Sequence, residues 1–194
     1  MKALVGLFFF MAIPAGTFAA ECSRPLQNAP ANRLEVPIIN GPVMDLADVL
    51  APAEIEHLKD KIQRLKADNT TEMAVLIVAN LQGESLEEYS LRVANTWKLG
   101  RCGINNGVLI LVAMKDRALR IEVGLGLESI LTNAACKKII DQNIIPFFKA
   151  NDFYGGLDSG VNSIIKILAS SREYRDILSS AHNCSDDVRS LHRK

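Results

Sequence analysis

The sequence has no surplus of either charge, with 22 lysines and arginines against 22 aspartates and glutamates in 194 residues. That balance gives no electrostatic case for nucleic acid or an anionic membrane surface, which call for a basic excess or stripe. No C-x-x-C pair occurs, and His57, His182 and His192 are scattered, so a zinc site lacks its ligand spacing. Neither Ser-His-Asp nor Cys-His chemistry has support, because the histidines fall on a helical face and in the polar C-terminal tail. Gly124-x-Gly126 lacks the third glycine of a dinucleotide fingerprint, and Glu128 would repel a pyrophosphate. Internal repeats and low-complexity segments are absent. Beyond the N-terminus no apolar run is long enough to span a bilayer.

What is present begins with a leader. Lys2, an apolar core over residues 3–13, Pro14 and small residues to Ala20 read as a secretory signal over residues 1–19. Thr17 and Ala19 put small residues at −3 and −1, so cleavage is expected after Ala19, giving an exported, periplasmic or secreted protein. The cut removes Lys2 alone and leaves 21 basic against 22 acidic residues. What remains suffices for one α/β domain with a substantial core.

The rest of the chain is organised around residues 105–128. Residues 108–113 are continuously apolar, which suits a strand buried on both faces. Leu119, Ile121 and Val123 alternate with Arg120 and Glu122, the period of a half-buried strand, and the polar trio Lys115, Asp116 and Arg117 joins the two as a hairpin. Upstream, residues 73–79 form a second buried-strand candidate, followed by a helix from Leu86 to about Leu99 with Ser85 and Glu88 as a capping box. This is a βαβ unit, which implies parallel strands and a right-handed crossover. Another helix starts at Pro52 with Ile55, Leu58, Ile62 and Leu65 as its stripe. After Glu128, Thr132 or Asn133 begins a helix that ends before Pro146, and Asp152 caps one with Leu157, Val161, Ile164 and Leu168 inward. Residues 36–39 suit a short edge strand. The fold class is therefore α/β, a three-layer α/β/α sandwich with a small mixed sheet made of the βαβ unit and an antiparallel hairpin. Residues 20–40 are an extended lead-in, 41–170 the domain and 171–194 a polar tail.

Four cysteines in an exported chain favour disulfides. Three pairings are open; Cys102 precedes the first hairpin strand and Cys136 follows the second, so both belong at one end of the sheet, which suits a Cys102–Cys136 bond. Cys22–Cys184 would then tie the termini.

The run Asn95-x-Trp97-x-Leu99-Gly100, Asn106-Gly107-Val108-Leu109-x-Leu111-Val112-Ala113 and Asp116-Arg117-x-x-Arg120-Ile121-Glu122-Val123-Gly124-x-Gly126-x-Glu128 closely resembles the TPM domain. So do Val43-x-Asp45-x-Ala47-x-Val49-Leu50 upstream and Pro146-x-Phe148-Lys149-x-x-Asp152-Phe153-x-x-Gly156-Leu157 downstream. The resemblance covers about residues 40–170. It implies an exported or lumenal α/β/α module, in many members followed by a membrane anchor; a soluble end without one is the expectation here. Plant thylakoid-lumen members are associated with photosystem repair and acid phosphatase activity, and bacterial members with calcium binding.

Hairpin pairing brings Asn105, Asn106 and Gly107 to the same end as Gly124, Gly126 and Glu128, where side-chain and backbone oxygens suit a hard cation such as calcium. The alternative is that Asn106, Gly107 and the two glycines make turns with positive φ and Glu128 begins the next helix. Asp45 is a third carboxylate, as a ligand or as the N-cap of a helix from Leu46. Asp116 lies at the opposite end of the hairpin, near the carboxyl ends of the parallel strands, where α/β sheets bind ligands. The expected ligand set is thus Asp45, Asn106 and Glu128, with Asp116 as the rival, and Trp97 and Tyr89 belong to the core. The functions that follow are a calcium-binding module serving envelope or membrane proteins, a metal-assisted phosphatase on phosphomonoesters, or a structural interaction domain.

Overall fold

The two apolar runs become the two central strands. A computed structural model describes residues 33–176 other than 70 and 102. The expected leader, Cys22, Cys102, Cys184 and the tail beyond 176 lie outside the described residues. The sheet runs in the order β1 (Val43–Asp45), β2 (Glu72–Val78), β3 (Gly107–Ala113), β4 (Ala118–Val123). The first three strands are parallel, and β4 is antiparallel to β3 with Val108 opposite Val123 and Ala113 opposite Ala118. Helices α1 (Pro52–Asn69), α2 (Leu86–Thr96), α3 (Asn133–Ile139), α4 (Ile145–Lys149) and α5 (Phe153–Ser170) complete the domain.

Strand side chains alternate between two cores, as the two-residue period requires. Val43, Val75, Ile77, Val108 and Ile110 pack with Leu58 and Ile62 of α1, Ile139 of α3 and Leu157, Val161 and Ile164 of α5. Met44, Leu76, Leu109 and Leu111 face the other way, against Tyr89, Val93 and Trp97 of α2. This is the expected three-layer sandwich. One consequence departs from expectation. Strands are added in a single direction while α1 and α2 lie on opposite faces, so the two crossovers have opposite hands, and one of them breaks the right-handed rule.

Several local expectations change. Residues 36–39 form no strand; the edge strand is residues 43–45, where Val75 N–H donates to Pro42 O at 2.8 Å. No helix starts at Leu46, because the Asp45 carboxylate instead closes a loop over residues 46–50. Ser85 sits at the N-cap of α2 without a side-chain bond, so the capping box does not form. Thr132 and Asp152 do cap their helices, accepting from Ala135 N–H at 3.2 Å and Gly155 N–H at 2.8 Å. Pro146 does not end α3 outright. The chain widens into a π turn at Ile140–Ile144 and resumes as α4, because proline offers no N–H to continue the α pattern. Cys136 carries a free buried thiol that donates to Leu131 O at 3.6 Å, so the expected bond to Cys102 is not formed. Burial raises that thiol's pKa above its ordinary value, which disfavours the nucleophilic thiolate.

Glu72, at the start of β2, joins three elements. It takes a salt bridge from Lys66 at 2.8 Å and a hydrogen bond from Gly100 N–H at 3.0 Å. Burial opposes its ionisation, but those two bonds and the charges of Lys66 and Arg101 outweigh it and lower the pKa below the ordinary 4.5. A lowered folded-state pKa contributes stability above the ordinary value that is lost as pH falls through the folded one. Glu72→Gln is therefore expected to flatten the acid limb of a stability-against-pH curve below about pH 5. An unchanged slope in urea titrations across that range would refute the assignment.

Candidate functional site

The parallel strands fix two ends of the sheet, and the candidate residues divide between them. Asp45 is the last residue of β1, and Asp116 follows the end of β3. Asn106 precedes β3, and Glu128 lies beyond the end of the antiparallel β4. Asp45 therefore does not join Asn106 and Glu128; it shares the carboxyl end with Asp116.

At the amino end, the polar groups are spent on holding the chain together. Asn106 is fully buried, its Oδ1 accepts from Arg101 N–H at 2.9 Å, and its carbonyl accepts from Glu72 N–H at 3.3 Å. Gly124 N–H donates to Gly107 O at 2.8 Å and Gly126 N–H to Asn105 O at 3.1 Å. Neither glycine has positive φ, and Gly124 sits at −68°. They are glycines because a Cβ at either would lie 2.1 Å or less from a carbonyl oxygen of residues 104–105. The turn reading of Gly124 and Gly126 fails, while Asn105 does take φ of 52°. Glu128 is exposed and adjoins a short 3-10 turn, Leu125–Leu127.

The carboxyl end is built differently. Residues 46–51 leave β1 for α1 on one face, and residues 79–85 leave β2 for α2 on the other. Adjacent strands whose connections depart to opposite faces open a crevice between them, the usual ligand position in α/β sheets. A carboxylate anchors each loop. Asp45 Oδ1 accepts from Ala47 N–H at 3.0 Å, and its Oδ2 accepts from Val49 and Leu50 N–H, both at 2.8 Å. Asp116 Oδ2 accepts from Leu81 N–H at 2.9 Å, which ties the hairpin turn to the loop after β2. Asp116 is exposed, and its Oδ1 has no protein partner among the described residues. Asn80, which the sequence reading passed over, lies in the same loop and accepts from Gln82 N–H at 3.1 Å. Its signal was position, directly after a buried parallel strand. Asp48, Gln82 and Arg117, one in each loop, take left-handed φ of 55°, 53° and 50°; Lys98 and Asn105 do so at the other end, so strain does not separate the two.

Among the described residues no three of His, Cys, Asp and Glu cluster to hold a metal. A cation at the carboxyl end would draw on two carboxylates, backbone carbonyls and water, a donor set of hard oxygens. No described helix is long and apolar enough to cross a membrane.

Among solved structures, the chain is similar to the N-terminal domain of a P. gingivalis protein, at 29% identity and a TM-score of 0.61, over 65% of this chain and 80% of that one. The N-terminal domain of the cg2496 protein of Corynebacterium glutamicum shares the fold at 16% identity and a TM-score of 0.54, covering 77% and 88%. The BA42 protein of the psychrophilic bacterium Bizionia argentinensis does so at 21% and 0.54, covering 64% and 85%. No curated protein matches. A family model described as the TPM domain matches residues 43–167, from the first residue of β1 into α5. With that match spanning more than half of its length, the chain belongs to the TPM domain family.

Proposed function

We propose that this TPM domain is a divalent-cation-binding module, with calcium as its ion, and that the site is the carboxyl-end crevice and not the hairpin's open end. The reading is supported by one observation above others: at the carboxyl end, where Asp45 closes the loop after β1 and Asp116 is tied to the loop after β2, Asp116 presents an oxygen with no protein partner among the described residues. Asp45 contributes an Oδ1 that accepts a single N–H. Calcium takes 6–8 oxygens, so two carboxylates leave much of the shell to carbonyls and water, and the expected Kd is weak, about 10⁻⁴–10⁻³ M.

Calorimetric titration of the purified protein with calcium tests this. Wild type and Glu128→Ala are expected to bind alike, and Asp116→Asn to lose binding at least tenfold. An asparagine oxygen still accepts from Leu81 N–H, so the fold survives the change. Loss in Glu128→Ala with retention in Asp116→Asn would move the site to the other end. No heat at about 10 mM calcium would sink the cation reading and favour a structural interaction domain.

A second reading has one observation in its favour, the exposed Lys115 and Arg117 flanking Asp116. Cations beside a metal-holding carboxylate suit a phosphoryl group, and a bound ion would polarise its oxygen. Phosphomonoester turnover that disappears in Asp116→Asn would make the module an enzyme. Export to the periplasm or beyond, in service of an envelope or membrane protein, completes the proposal; N-terminal sequencing of the exported protein is expected to begin at Ala20.

A further inference from the structure

The lead-in, residues 33–39, runs along α2 outside any helix or strand and precedes the family match at residue 43. Side chains of the body grip it almost entirely by its backbone. Glu84 accepts from Leu34 N–H at 3.0 Å, and Arg92 donates to Leu34 O at 2.8 Å. Tyr89 Oη–H donates to Glu35 O at 3.3 Å, and Trp97 Nε1–H to Pro37 O at 2.8 Å. Glu84 and Arg92 also pair with each other at 2.6 Å, so the two groups facing Leu34 are held in place, and Arg92 lies 5.2 Å from the Tyr89 ring. Leu34 and Val36, two residues apart, pack into the core beside Tyr89, Val93 and Trp97, while Glu35 and Ile38 point outward. This is how a groove recognises an extended peptide: main-chain bonds hold it, and alternate side chains fill the pockets.

Such contacts do not require that the strap and the groove belong to one molecule. We infer that the α2 face is an extended-peptide groove and that the lead-in of a second copy of this chain occupies it in exchange. The hinge favours that occupant. Residues 38–40 are exposed, with Ile38 91% and Ile39 41% accessible, so little holds the chain between strap and β1. Exchanged straps run past each other at that point, where the two isoleucines would be covered. Swapping an identical element is a low-cost route to a dimer, because every bond broken in one copy is remade in the other.

The test uses two full-length variants. Leu34→Asp with Val36→Asp disables the strap and leaves the groove; Arg92→Glu with Trp97→Phe disables the groove and leaves the strap. Trp97 is the single tryptophan, so emission from the mixture reports the intact groove alone. The strap variant is expected to emit to the red of wild type. An equimolar mixture is expected to return to the blue and to run as a 1:1 dimer. Unchanged emission with only single-chain masses at several hundred micromolar, both variants being folded by circular dichroism, would overturn the proposal. If either variant does not fold, a dye-labelled peptide of residues 32–40 is added to the unmodified chain. Its anisotropy is expected to rise with a midpoint in the millimolar range, set by competition with the tethered strap at an effective concentration of about that size. No rise up to about 10 mM would overturn the exchange equally.

Discussion

Adding one methyl group at Gly126 is expected to destabilise the fold by about 3 kcal/mol or more. The Cβ would lie 1.9 Å from Ile104 O, which is backbone and cannot rotate aside. Relief requires the loop before β3 to withdraw, and the bond from Gly126 N–H to Asn105 O goes with it. Gly124→Ala is expected to behave alike, since its Cβ would lie 2.1 Å from Asn105 O. Gly83→Ala is the control. Gly83 has φ of 86° with nothing near its missing Cβ, so only the left-handed backbone penalises alanine, by about 1–2 kcal/mol. Urea midpoints for the three variants provide the check. Equal losses at Gly126 and Gly83 would show that backbone conformation, not crowding, selects glycine at the open end.

Truncating Tyr174 is expected to cost about 3–5 kcal/mol, the range for removing a large buried aromatic. Tyr174 is 1% exposed, packs with the core shared by α1 and α5, and hydrogen-bonds the fully buried Thr71. Tyr174→Phe keeps the ring but leaves the Thr71 hydroxyl without that bond, for a smaller loss of about 1–3 kcal/mol. A chain ending at Ser170 is expected to lose as much as Tyr174→Ala. Thermal unfolding that leaves Tyr174→Ala within 1 °C of wild type would return this residue to the tail.

These two results mark where sequence reading succeeds and where it stops. Residues 108–113 announce a strand buried on both faces because a polar residue there would meet one core or the other. All seven residues of β3 are buried. The hairpin, the stripe of α1 and the caps at Thr132 and Asp152 were equally legible, since each depends on contacts within a few residues. Tyr174 was not. It sits among charged neighbours, and its burial depends on Thr71, 103 residues away.

The candidate site shows the same limit. Asp45, Asn106, Asp116 and Glu128 were recognisable as oxygen donors from residue type and motif alone. Which of them share an end depended on β1 pairing parallel to β2 in a sheet whose order no local pattern records. Gly124 and Gly126 could be read as turns or as a cradle; only the approach of residues 104–105 explains them.

The sequence by itself determined the layered α/β architecture, the strand and helix faces and the family, because periodicity and short-range chemistry are written residue by residue. Tertiary structure decided that α1 and α2 lie on opposite faces, which opens the crevice at the carboxyl end. It also placed Asp45 with Asp116, buried Asn106 and Tyr174, and laid the lead-in along α2. Those outcomes follow from long-range pairing and from the satisfaction of buried backbone groups, which depend on what the folded chain brings near.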